Sequence, residues 1–215
     1  MSAAQFPAVP GPRWTRKRLV DMLIECYGPS PRGAVDVTAV AEYAAVGEST
    51  VRRWISANGG ANNRRPAIPA RRLAQLQLGP VDIENRNTND YLYALDAINK
   101  IAEGRVEASW RDQGWLSEHV VAVIAVAGKP WLQVVSSNQS RSSVADLRRR
   151  GTTVESVVVP TRHHAHALAR AVMLTMHNWR VHPAAGVLKR GATMVWMGDA
   201  PQVDLEGFAQ QLFST

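Results

Sequence analysis

The side chains best suited to recognising another molecule lie close together between Gly47 and Arg53. If this run is helical, Val51, Trp54 and Ile55 form one side, and Gly47, Glu48, Ser49, Arg52 and Arg53 face away from it. A guanidinium can bond bidentately to guanine O6 and N7, a carboxylate can accept from cytosine N4, and the hydroxyls of Ser49 and Thr50 can reach a base or a phosphate. Further cations flank the run. Arg16 and Lys17 stand at the start of an upstream apolar pattern. Arg64 and Arg65 sit in a stretch rich in Gly, Asn and Pro, and Arg71 and Arg72 follow. Cations so placed suit phosphate contact or a minor-groove arm, and equally a solvated surface. A second set lies in the C-terminal half: Arg141, Arg148, Arg149, Arg150, Arg162 and Arg170.

Other chemistry is less well supplied. His163, His164, His166, His177 and His182 fall within 20 residues. Zinc needs three or four convergent ligands, and no Cys or carboxylate lies near these histidines in sequence, so no metal site is expected. Neither a Ser-His-Asp set nor a Gly-rich phosphate loop stands out, and no catalytic residue or cofactor is assigned. Cys26 is the only cysteine, which excludes an internal disulfide and suits a reducing cytoplasm. No apolar run is long enough to span a membrane, and the start, MSAAQFPAVPGP, lacks the pattern of a signal peptide.

The 215 residues carry a formal charge of +7, and 21 of the 25 basic residues are Arg. The charge is uneven. Residues 1–80 hold 11 basic and 5 acidic residues, 81–115 hold 4 and 7, and 116–215 hold 10 and 6. A basic balance favours a polyanionic partner, and the acidic middle is not expected to lie on one.

These residues need a scaffold. A first helix spans 13–28, with Thr15 as N-cap and Leu19, Val20, Leu23, Ile24 and Tyr27 at helical spacing. From Val37 to Asn58 two short helices follow, with Thr38 as a cap of the first. Ala45-Val46-Gly47 form the turn, and Ala41, Ala44 and Ala45 are small where helices must cross. The run AVGESTVRRWI resembles the turn and recognition helix of the helix-turn-helix in phage repressors and bacterial regulators. There the second helix enters the major groove of DNA. One departure is Ala45, where that family usually has Gly. A left-handed Ala costs roughly 1 kcal/mol. A short helix is expected in 69–80, and a long amphipathic one from Ile83 to Glu103.

From residue 117 the period changes. Val120–Val126 and Trp131–Ser136 read as a hairpin joined by AGKP. A helix (140–151), a strand (154–159), a long helix from Thr161 to about Trp179, a strand (193–197) and a final helix (203–213) follow. Trp115, Trp131, Trp179 and Trp196 are expected in the core. This order, with WLQVVSSNQSRSSVADLRRR, is similar to the GIY-YIG nuclease fold, with Arg141 at the helix Arg. The hairpin strands contain no Tyr and RHHAHALARAVMLTMHNW contains no Glu, so the resemblance implies a degenerate domain that keeps DNA affinity and has lost cleavage.

The expected architecture is α+β: a disordered lead-in (1–12), a helical helix-turn-helix domain (13–80), a connector helix (81–115) and an α+β domain with a small, mostly antiparallel sheet (116–215). The expected function is a cytoplasmic, sequence-specific binder of double-stranded DNA, a transcriptional regulator or repressor of a bacterium, phage or plasmid. The alternative is a DNA-processing factor, nuclease-like or initiating replication. A homodimer or protein partner would use the connector helix or the C-terminal domain, and no membrane partner is expected.

Overall fold

The computed structural model describes residues 7–56, 66–79 and 81–214. The chain is α+β and divides into two units, each built from separated segments.

The helical unit takes residues 11–80 and 181–193. Helix α1 (Arg16–Tyr27) starts where the Thr15 hydroxyl accepts the Arg18 N–H, and stops at Gly28, whose φ of 91° most side chains would resist. It buries Leu19, Met22, Leu23, Cys26 and Tyr27. Helix α2 (Val37–Ala44) is capped by Asp36, whose carboxylate accepts the Ala39 N–H. Thr38 is therefore not the cap: a carboxylate at the residue before the helix reaches the free amides directly, and Thr38 already lies inside the first turn. Ala45 adopts the left-handed conformation (φ 50°, ψ 53°) and its N–H returns to the Ala41 and Glu42 carbonyls. Helix α3 (Glu48–Ile55) follows from Gly47 and buries Val51 and Trp54. Helix α4 (Ala70–Leu78) buries Leu76 and Gln77 and ends at Gly79, where an added Cβ would meet the His182 ring at 2.7 Å. The Ala184 N–H donates to the Cys26 carbonyl at 2.8 Å, so residues 181–193 join α1 and α4 despite the distance in sequence.

The α+β unit takes residues 1–10, 81–180 and 194–215. Its sheet has strands β1 (His119–Val126), β2 (Trp131–Asn138), β3 (Gly151–Val159) and β4 (Val195–Met197), in the order β3-β1-β2-β4 with every pair antiparallel. β1 is central and almost wholly buried. Helix α7 (Arg141–Arg150) sets Leu147 against Ala122, Ile124 and Val135. Gly151 then passes so near β1 that a Cβ would lie 1.9 Å from the Ala125 carbonyl oxygen. Helix α8 (Arg162–Thr175), capped by Thr161, packs on β1 and β2, and helix α9 (Leu205–Phe213), capped by Asp204, packs on α8 and β3.

Several expectations change here. Helix α5 (Val81–Ala102), the expected connector helix, packs within the chain. It packs along α8 and buries Tyr91, Ala94 and Ala97 in the α+β unit. A short helix α6 (Ala108–Asp112), which five residues were too few to announce, buries Trp110. The long helix ends at Thr175 and a 3-10 turn carries His177–Trp179. The lead-in is not loose from Val9 on: the Val9 N–H donates to the Thr175 carbonyl, and the Trp179 indole N–H donates to the Pro10 carbonyl at 2.8 Å. The first bond uses a carbonyl left free by the end of α8, and the second a carbonyl of the lead-in itself, and no local pattern in the Pro-rich segment reveals either.

Candidate nucleic-acid interface

Val51 is fully buried and Trp54 is 4% exposed, and these two fix the rotation of α3. With them turned inward, Gly47, Ser49, Arg52 and Arg53 are exposed on the other side, with Glu48 and Thr50 partly so. The outward set expected from the helical period is thus one continuous surface.

Its ends are held by hydrogen bonds between segments. The Thr38 hydroxyl donates to Glu48 Oε1 at 2.7 Å, and Arg52 donates to Glu48 Oε2 at 2.6 Å. Glu48 therefore ties the first turn of α2 to the outer side of α3. The Thr38 bond, and then Arg52, hold its carboxyl below the usual range. Arg16 Nε donates to the Ile55 carbonyl at 3.0 Å, satisfying an acceptor at the end of α3, and Ser56 Oγ donates to the Arg52 carbonyl. Arg72 donates to the Ala44 carbonyl at 3.3 Å and to Gln75 Oε1 at 2.8 Å, which braces the end of α2 beside the turn. Lys17 pairs with Asp21, Arg71 is exposed, and Arg64 and Arg65 lie outside the described residues. Arg16 and Arg72 thus hold helix ends, a role their sequence positions did not suggest. The partners are 39 and 28 residues away.

The C-terminal set divides in the same way. Arg170 donates to Asn87 at 2.6 Å, to Asp90 at 2.9 Å and to Met194 Sδ. Arg150 donates to the buried Gln133 at 2.7 Å. The Arg162 guanidinium stacks 4.2 Å from the Trp115 ring and its Nε donates to His166. These three cations brace the α+β unit. Arg141, Arg148 and Arg149 are exposed on α7, with Arg149 3.7 Å from Asp146.

The histidines do not converge. Among the described residues, no three His, Cys, Asp or Glu side chains lie together as metal ligands. His163 is 3% exposed, with its ring 4.5 Å from Trp110 and 5.8 Å from Trp115. His164 bonds to Thr161 Oγ1 and meets the edge of Phe213. Burial, and then a neighbouring charge, lowers the pKa of each: to about 4 for His164, beside His163, and to about 4 for His166, beside Arg162. These rings are packed as neutral core. Lys189 and Arg190 were not counted with the first unit, yet the segment 181–193 belongs to it. No local pattern announces that membership.

Comparison of the chain with protein-family models, with curated proteins and with solved structures finds no match. Among the described residues, no helix is long and apolar enough to cross a membrane.

Proposed function

We propose that the protein binds double-stranded DNA with sequence preference and acts as a cytoplasmic transcriptional regulator or repressor of a bacterium, phage or plasmid. The observation that carries this reading is the pairing of a left-handed Ala45 turn with an α3 whose buried side is Val51 and Trp54 and whose outer side is Ser49, Arg52 and Arg53. A short turn of this kind between two helices is how a helix is presented to a major groove. The outer side chains can read base edges, and the exposed cations Lys17, Arg71 and Arg53 can meet phosphates. In this reading Glu48 and Arg52 form one unit, and a base contact by either is made from the shape the other holds.

The testing experiment is selection of bound sequences from a random duplex pool with the full chain, repeated with Arg53→Ala. A defined consensus that loses information at particular positions in the variant supports the reading. Recovery of random sequence, or a consensus that Arg53→Ala leaves unchanged in both affinity and content, removes α3 from base recognition.

A further inference from the structure

We propose that the outer edge of β3 is the homodimer contact of this protein, pairing antiparallel with the same strand of a second copy. β3 is an edge strand of nine residues. One side pairs with β1, and among the described residues no main-chain group bonds to the other side. Such an edge accepts another strand unless something blocks it, and the usual blocks are Lys, Pro, inward charges or a covering segment. Gly151–Val159 contains no Lys, Arg or Pro. Its one charged residue, Glu155, is engaged: Oε1 accepts the Leu205 N–H at 2.7 Å, at the start of α9.

The residues also suit a copy of themselves. Val154 and Val158 are each 53% exposed, well beyond what an edge valine needs, and they are equidistant from the exposed Ser156. A two-fold axis at Ser156 sets Val154 of one strand opposite Val158 of the other, twice. Directly opposed β-branched residues are the unit of antiparallel pairing. The arrangement closes on itself and leaves no further edge on that side. The register with β1 slips by one residue at Val123/Ile124, beside Val154, so the strand bends there and the ladder offered is short. A reversible dimer is therefore expected, not an obligate one. This inference stands apart from the DNA reading, since the contact forms without DNA.

Sedimentation of the full chain without DNA over a concentration series tests it, together with hydrogen exchange of the β3 amides. The expected results are a monomer–dimer equilibrium and amides of β3 that gain protection as dimer forms. Val154→Lys with Val158→Lys, both on exposed positions, is expected to raise the dimer dissociation constant about tenfold or more with an unchanged circular dichroism spectrum. Leu92→Lys, on another exposed apolar position of the unit, should leave it unchanged. A chain that is monomeric throughout overturns the proposal. So does a dimer that persists in the double variant, or one that Leu92→Lys dissolves. If the double variant does not fold, the exchange of the parent decides, and β3 amides indifferent to concentration overturn it.

Discussion

Single residues carry the proposed recognition surface, and each can be tested alone. Arg53 is exposed on α3, so Arg53→Ala is expected to weaken specific binding by about 1–3 kcal/mol while leaving the melting temperature unchanged. Electrophoretic or fluorescence titration on the selected site checks it. Ala45 is the one non-glycine residue with positive φ among those described, and it sits in the turn itself. Relief of the left-handed penalty is expected to make Ala45→Gly about 1 kcal/mol more stable to urea, with no loss of affinity. Trp54→Ala, which empties a buried site, is expected to cost about 3–5 kcal/mol. A fourth residue-scale effect is acid sensitivity. His166 titrates near 6.5 when unfolded and is depressed to about 4 in the fold, chiefly by burial. The unfolded chain thus takes up the proton first as pH falls, and the stabilisation present above pH 6.5 is lost progressively between 6.5 and about 4. Urea midpoints over that window should fall for the parent and fall less for His166→Gln.

At the scale of elements, the period of the apolar residues carried most of the information. Val51 and Trp54 recur at helical spacing, and so α3 and its outward face were legible. The alternation and β-branching of 119–138 likewise announced the hairpin. Element ends were legible where a cap is local, as with Thr15 and Thr161, and were misplaced where a second capping residue lies close by, as with Asp36 beside Thr38 and Asp204 beside Val203. The commitments of the arginines were not legible. Arg170 meets Asp90 80 residues away and Arg150 meets Gln133 17 residues away, and no periodicity encodes such pairs. Close packing between elements gives a prediction of its own. Gly151 is extended, with φ of 166°, so an Ala there is not strained in its backbone, but its Cβ would enter the Ala125 carbonyl. Gly151→Ala should push β3 from β1 and cost about 1–3 kcal/mol or more, the range for overfilling a packed site. Hydrogen exchange should show the loss first in the β1–β3 ladder.

At the scale of the whole molecule, the two units are interleaved along the chain. The chain leaves the α+β unit after Pro10, returns at Val81, leaves again after Arg180 and returns at Met194. Cutting at residue 80, which the sequence pattern invites, therefore removes a structural part of the helical unit. The fragment 11–80 lacks Ala184, whose N–H meets the Cys26 carbonyl, and His182, which fills the space against Gly79. It also lacks the buried Val181 and Pro183. Cys26 and Leu76 are fully buried in the intact chain, and they lie on the two helices that this segment joins. The expected outcome is that the fragment melts at lower temperature and less cooperatively than the helical unit does in the intact protein, and that adding a peptide of residues 181–193 raises its midpoint, because a ligand of the folded form stabilises it by mass action. Calorimetry of the fragment with and without the peptide decides. A fragment as stable as the same residues in the full chain, or indifferent to the peptide, would mean that 181–193 rests on a unit already complete, and the helical unit could then be studied as a free-standing domain.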